Sequence, residues 1–224
     1  GLGDVYKRQI ADYAFSDCAA LSESLVLTDT RHIGYRSFID CSSLTGVVLP
    51  ESVEYIGEEA FGRCGNLQRV EYNCISATTG TVFRECDILA AVKIGKNVEK
   101  LGDGLFSTLS SLNSVEFEAN GIENDSEIPS SFEIGQHCFS ASGFKKIELP
   151  RNTTVIGDYA FADGKFAEII LPATIKYLGK EMFSSSRVKN ITILAEEVPE
   201  AGGNLWYSDC LLYTSPSPRD GLLS

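Results

Sequence analysis

A short apolar alternation returns along the chain every 22 or 23 residues. Leu44-Thr45-Gly46-Val47-Val48-Leu49-Pro50, Phe144-Lys145-Lys146-Ile147-Glu148-Leu149-Pro150 and Phe166-Ala167-Glu168-Ile169-Ile170-Leu171-Pro172 share it, and Leu67, Leu89, Leu112 and Val188 open the others. Strand residues two apart share a face. Val47 and Leu49, Val70 and Tyr72, and Ile147 and Leu149 therefore point inward. The third and fifth places point outward: Arg69 and Glu71, Ala91 and Lys93, Ser114 and Glu116, Lys146 and Glu148, Glu168 and Ile170, Asn190 and Thr192. The first such segment, Leu21–Leu27, carries Ser24 where an apolar residue is expected.

Between the strands lies a second motif. Ile33-Gly34-Tyr35-Arg36-Ser37-Phe38-Ile39-Asp40-Cys41 is matched by Ile56-Gly57-Glu58-Glu59-Ala60-Phe61-Gly62-Arg63-Cys64 and by Ile156-Gly157-Asp158-Tyr159-Ala160-Phe161. Its phenylalanines form a column of Phe15, Phe38, Phe61, Phe83, Phe106, Phe139, Phe161 and Phe183, with one step longer by about ten residues than the rest. Gly34, Gly57, Gly102, Gly135, Gly157 and Gly179 form another, at a place where the chain bends tightly or approaches its neighbour closely. Repeat four, Thr78-Thr79-Gly80-Thr81-Val82-Phe83, lacks the Ile-Gly pair.

These recurrences resemble the BspA-like branch of the leucine-rich repeats, over Ile10 to about Leu194. The resemblance implies a mainly β leucine-rich-repeat solenoid of about eight coils. Each coil gives one parallel strand to a curved sheet, with turns and short extended segments on the other side. The physics agrees: a turn this short buries its apolar side only by stacking on the next. Eight strands about 4.8 Å apart would make a sheet roughly 34 Å across, wide enough for an interface of about 800 Å² per partner.

Charge and chemistry refine this picture. The chain carries −12, and −13 without its first nine residues, which disfavours nucleic acid and anionic membrane as partners. No window is long and apolar enough for a membrane span. Cys18, Cys41, Cys64 and Cys86 repeat with the coil period, and later coils fill the same place with Leu109, Ser142, Gly164 and Ser186. They read as a buried ladder of small side chains, not as a redox or metal set. His32 and His137 sit in no nucleophile or ligand motif, so no catalytic residue, metal or cofactor is expected.

The long step marks an insertion, roughly Ala119 to Glu133, in which Glu123, Asn124, Asp125 and Glu127 offer hard oxygen donors. Their spacing fits no calcium loop of the EF-hand type, and the segment reads as a solvated candidate binding loop. The candidate binding face comprises Arg69, Glu71, Lys93, Glu116, Lys146, Glu148, Glu168 and Asn190.

Both ends differ from the interior. Cys210–Asp220 back-translates into sequencing-adapter DNA whose complementary strand, shifted in frame, reads as Gly1–Gln9. Residues 1–9 and 210–224 are thus expected to be foreign, and 10–209 to be part of a longer protein with further repeats or domains on both sides. The resemblance implies a non-enzymatic adhesion or protein-binding module at the cell surface or secreted. Its partner would be a protein, with a glycan as the second class. Two alternatives stay open: targeting or spacer repeats of an enzyme whose catalytic domain lies elsewhere, and an intracellular scaffold, which unpaired cysteines would tolerate.

Overall fold

The computed structural model describes residues 8–204 and 212–214. The ends expected to be foreign fall outside the described residues, except Arg8, Gln9 and Leu212–Thr214. Among the described residues every strand pairs in parallel with the equivalent strand of a neighbouring coil. Eight turns and the start of a ninth stack along one axis.

The strands line two walls. The first, with the longer strands, contains β2 (Ser24–Val26), β4 (Gly46–Leu49), β6 (Arg69–Tyr72), β7 (Ala91–Ile94), β9 (Ser114–Phe117), β12 (Glu168–Leu171), β14 (Asn190–Ile193) and β16 (Leu212–Thr214). The second contains β1 (Gln9–Ile10), β3 (His32–Ile33), β5 (Tyr55–Ile56), β8 (Lys100–Leu101), β10 (Phe132–Ile134), β11 (Thr153–Ile156), β13 (Tyr177–Leu178) and β15 (Glu200–Ala201). Repeat four, without its Ile-Gly pair, keeps only a single bridge there, from Thr78 to Tyr55.

A third wall closes each coil without strands. Around every column phenylalanine the residue two places later has left-handed backbone, from Asp17 (φ 57°) through Asp40, Arg63, Glu85, Thr108, Ala141 and Asp163 to Ser185. The residue two places earlier does the same at Tyr13, Arg36, Glu59, Gly104, His137, Tyr159 and Glu181. Such a conformation in a non-glycine residue costs of the order of 1 kcal/mol or more. What offsets it is the alternation it imposes on the peptide groups. The N–H groups of Arg36, Phe38 and Asp40 donate to Glu58, Ala60 and Gly62 of the next coil at 3.1, 2.8 and 3.0 Å. Those of Ser37, Ile39 and Cys41 fold back onto Gly34, Arg36 and Phe38. A right-handed helix would spend all these donors within the coil and leave the next coil unbonded.

Inside the walls the phenylalanine rings stack nearly face to face. Centroids lie 5.1 Å apart for Phe15–Phe38, 4.9 Å for Phe38–Phe61 and 5.7 Å for Phe61–Phe83, and the series continues to Phe161–Phe183 at 6.1 Å. Phe15 is 42 % exposed at the first coil, whereas Phe61 is fully buried. The glycine column is set by close approach, since none of its members has positive φ. A Cβ on Gly57 would lie 2.5 Å from the nitrogen of Tyr35, and one on Gly34 equally close to that of Asp12.

Three expectations are corrected. The register of the first strand lies one residue later than the repeat spacing implies: Leu25 pairs with Val47 and Ser24 with Gly46, so Leu25 takes the inward place and Ser24 the outward one. One added residue in a strand exchanges its two faces, and here it restores the apolar one. The insertion ends before Glu133, because Phe132–Ile134 is β10, paired with both β8 and β11. The eight-stranded sheet is interrupted: β2-β4-β6-β7-β9 and β12-β14-β16 are separate, and residues 145–149 between them join neither ladder. At that coil Phe144 replaces the leucine of earlier coils and packs edge-on against Phe139 at 5.8 Å, while the inserted segment takes the space beside β9, Asn120 donating to the carbonyl of Glu148 at 2.9 Å.

Phe61→Ala should cost about 3–5 kcal/mol, the usual range for a buried ring cut to a methyl. Phe15→Ala, at the exposed end of the same column, should cost much less. Urea denaturation of both variants checks the difference, and equal losses would mean that the rings do not act as a stack.

Candidate functional site

The outward residues of the first wall are held by strand pairing. Parallel register places Arg69, Ala91 and Ser114 side by side, and Glu71, Lys93 and Glu116 in the next row. Arg69, Glu71 and Glu116 are exposed and Lys93 is half-buried. Across strands about 4.8 Å apart the second row alternates in sign. Lys93 nevertheless pairs with Glu118, just beyond β9, at 2.7 Å. The hydrogen bond with Glu118 is the main cause that raises the Lys93 pKa and, reciprocally, lowers that of Glu118.

The remaining face residues lie elsewhere. Glu168 and Asn190 are neighbours on β12 and β14, the amide of Asn190 donating to Glu168 at 3.2 Å. Lys146 and Glu148 form an ion pair on the unpaired segment between the two sheets. The expected single face is therefore two faces and a bridge. The first, five strands wide, spans about 19 Å.

The insertion is tied down more than a solvated loop requires. Ala119 and Ile128 are buried, and Phe117 meets Phe132 edge-on at 5.6 Å beneath it. Asn124 caps a short 3-10 turn, Asp125–Glu127, by accepting from the Ser126 N–H at 3.1 Å, and its amide donates to Glu127 at 3.2 Å. Asp125 pairs with Arg151 at 2.7 Å, while Glu123 is exposed. Asn124 and Glu127 are thus engaged with each other, and Asp125 with Arg151. Among the described residues no group of three or more His, Cys, Asp or Glu is arranged to hold a metal ion.

Cys41, Cys64 and Cys86 are buried in one column, and each thiol donates to the carbonyl of the phenylalanine one coil earlier, Phe15, Phe38 and Phe61, at 3.1, 3.3 and 3.1 Å. Ser142 makes the same bond to Phe106 at 3.2 Å, which is why the place accepts either residue. Cys18 is half-buried, and all six cysteines among the described residues are free thiols. Burial pushes the Cys41 thiol up to about 11 and the Cys74 thiol up to about 12. The histidines belong to surface stacks: His32 lies 4.5 Å over Tyr55, and His137 4.8 Å over Tyr159.

One cluster escaped the sequence reading. On the third wall Glu59, its side chain only 8 % exposed, receives Arg36 at 2.8 Å and Arg84 at 3.0 Å, and Arg63 clasps Asp40 with two bonds. Arg36–Glu59 and Asp40–Arg63, opposite charges 23 residues apart in 23-residue coils, were its signal. Its partners are satisfied and it holds coils together.

This architecture defines the class, a parallel-stranded solenoid of leucine-rich repeats. A family model described as the BspA type leucine rich repeat region matches residues 8–127 and 122–215, and the chain belongs to that family. A leucine-rich repeat protein from Bacteroides ovatus is similar in structure, with 25% identity and a TM-score of 0.56 over 92% of this chain and 59% of that one. A leucine rich cell surface protein from Faecalibacterium prausnitzii gives 20% identity, a TM-score of 0.49, and coverage of 86% and 60%. The pneumococcal vaccine antigen PcpA gives 20%, 0.47, and coverage of 94% and 61%. The chain thus spans less than two thirds of each of these structures. No curated protein matches it.

The raised thiols set a pH dependence. An unfolded thiol loses its proton near about 8.5, whereas folded Cys41 and Cys74 keep theirs to about 11 and about 12. Above about pH 8.5 the unfolded chain binds fewer protons than the folded one, so stability falls as pH rises through that window. Urea midpoints should decline between about pH 9 and pH 11, and Cys41→Ala with Cys74→Ala should flatten the decline. An unchanged slope in the double variant would assign the effect to other groups. Glu59→Gln should destabilise by about 1–3 kcal/mol by stripping charge from hydrogen bonds to two guanidinium groups, measured in the same way.

Proposed function

We propose that the chain is a non-enzymatic protein-binding module of a larger cell-surface or secreted leucine-rich-repeat protein, serving adhesion, with the outward face of β4, β6, β7 and β9 as its principal contact surface. The observation that supports this most directly is the regular row Glu71, Lys93 and Glu116 beside Arg69, mounted on a five-stranded sheet whose other side is the core. Mixed charge on a surface held in register by strand pairing suits electrostatic recognition of a folded partner. Among the described residues no helix is long and apolar enough to cross a membrane. A protein is the partner class that such a width fits, with a glycan as the second class. Placement at the cell surface rests on the BspA-type resemblance.

The six free thiols among the described residues favour one second reading, an intracellular scaffold in a reducing compartment. A signal peptide in the complete reading frame would exclude it.

Charge reversal at Glu71, Lys93, Glu116 and Glu148 together should weaken capture of purified extracellular-matrix proteins by about tenfold or more, while the melting temperature stays nearly unchanged. Interferometry on the immobilised chain measures the first and calorimetry the second. Full capture by the quadruple variant would remove the sheet and move the contact to the loop of Glu123, Asn124, Asp125 and Glu127.

A further inference from the structure

One asparagine of the inserted segment joins a structural contact to an unusual chemical setting. The chain has nine asparagines, and Asn120 alone is followed by glycine. Both Asn120 and Gly121 are exposed, and a Cβ placed on Gly121 would meet nothing within 4 Å. The peptide nitrogen after Asn120 is thus crowded neither by a side chain of its own residue nor by a neighbour.

The local backbone is weakly held. Asn120 and Gly121 end the 3-10 turn Glu118–Gly121, after which the chain is extended at Ile122 (φ −96°, ψ 119°). The N–H of Ile122 donates to the carbonyl of Ala119 at 3.3 Å, beyond the usual range of about 2.7–3.2 Å. A single short turn on an exposed segment opens at little cost.

Opening lets the Gly121 nitrogen reach the Asn120 side chain. The nitrogen attacks Cγ, the N–Cγ bond forms as the Cγ–Nδ2 bond breaks, and the proton of the Gly121 N–H leaves with the side-chain NH2 as ammonia. A five-membered succinimide remains. Water then opens the ring at one of its two carbonyl carbons. Breaking the N–Cγ bond gives aspartate in the ordinary main chain, and breaking the bond to the α-carbonyl gives isoaspartate, with one more methylene in the main chain. A Cβ on the following residue would hinder the first step, and glycine has none. Either product replaces an amide that donates by a carboxylate that only accepts.

The lost donor has a defined partner. The Asn120 amide donates to the carbonyl of Glu148 at 2.9 Å, within the segment 145–149 that joins neither sheet. Other polar ties from the insertion to that coil, Asp125 with Arg151 at 2.7 Å and Asn152 with the Pro129 carbonyl at 2.8 Å, fall after this segment. A carboxylate at 120 would set acceptor against acceptor at Glu148.

We propose that Asn120 is a site of spontaneous hydrolytic modification, and that its conversion to aspartate or isoaspartate releases the inserted segment from residues 145–149. The inference is independent of the binding role, since none of Arg69, Glu71, Lys93 and Glu116 is altered.

Time courses of the full chain in mildly alkaline buffer, followed by tryptic mapping, mass spectrometry and enzymatic methylation of isoaspartate, locate the change. Conversion at Asn120 should outrun that at Asn113 and Asn124 by about tenfold or more, and Gly121→Ala should slow it by as much. Asn120→Asp, which installs one product, should speed amide hydrogen exchange across residues 145–149 while β4, β6 and β7 exchange as before. If Gly121→Ala fails to fold, the time course of the unaltered chain and the exchange of Asn120→Asp decide. Conversion at Asn120 no faster than at Asn113 would overturn the site. Unchanged exchange across 145–149 in Asn120→Asp would overturn the release.

Discussion

Neighbouring coils are held one strand spacing apart, about 4.8 Å, and every other feature of the molecule accommodates that distance. It is fixed by parallel hydrogen bonds on two walls and by the alternating peptide groups of the third. At this spacing a phenylalanine in each coil must lie flat on the next, and the rings stack at 4.9–6.1 Å. A side chain at Gly57 has no room, because the neighbouring backbone already occupies the place of its Cβ. Left-handed conformations at Arg36, Asp40, Glu59 and Arg63 are the local cost of aiming alternate N–H groups along the axis.

The same spacing explains the buried thiols. A small side chain at the Cys41, Cys64 and Cys86 places faces the phenylalanine carbonyl of the preceding coil, close enough for a weak donor to satisfy it. The sulfur atoms are occupied in holding coils together, and at Cys41 burial suppresses the thiolate that redox or metal chemistry would need. Serine at 142 makes the same bond, so at these four coils the contact needs a small donor and not sulfur.

This regularity is displayed on one surface and broken at another. The five-stranded face displays it, repeating charged side chains on strands in parallel register. The junction between the two sheets breaks it, and there β12 has a strand partner on one side only.

By itself the sequence determined the period, the phase and the columns of phenylalanine, glycine and cysteine, together with the inward and outward alternation of Val70, Glu71 and Tyr72. Each is a local pattern repeated, and repetition makes it visible without knowledge of neighbours. The tertiary structure decided what depends on contact between coils. It moved the first strand by one residue to bury Leu25, assigned the glycines to close approach and not to turns, and placed left-handed residues at charged positions that no composition would mark. It joined Glu59 to Arg36 and Arg84 across coils. It also parted the sheet at Lys146 and Glu148, whose segment has the same apolar alternation as its neighbours. A strand's pattern says which face it would bury, but whether it pairs is settled by its neighbours in space, and there Asn120 of the inserted segment takes the carbonyl of Glu148.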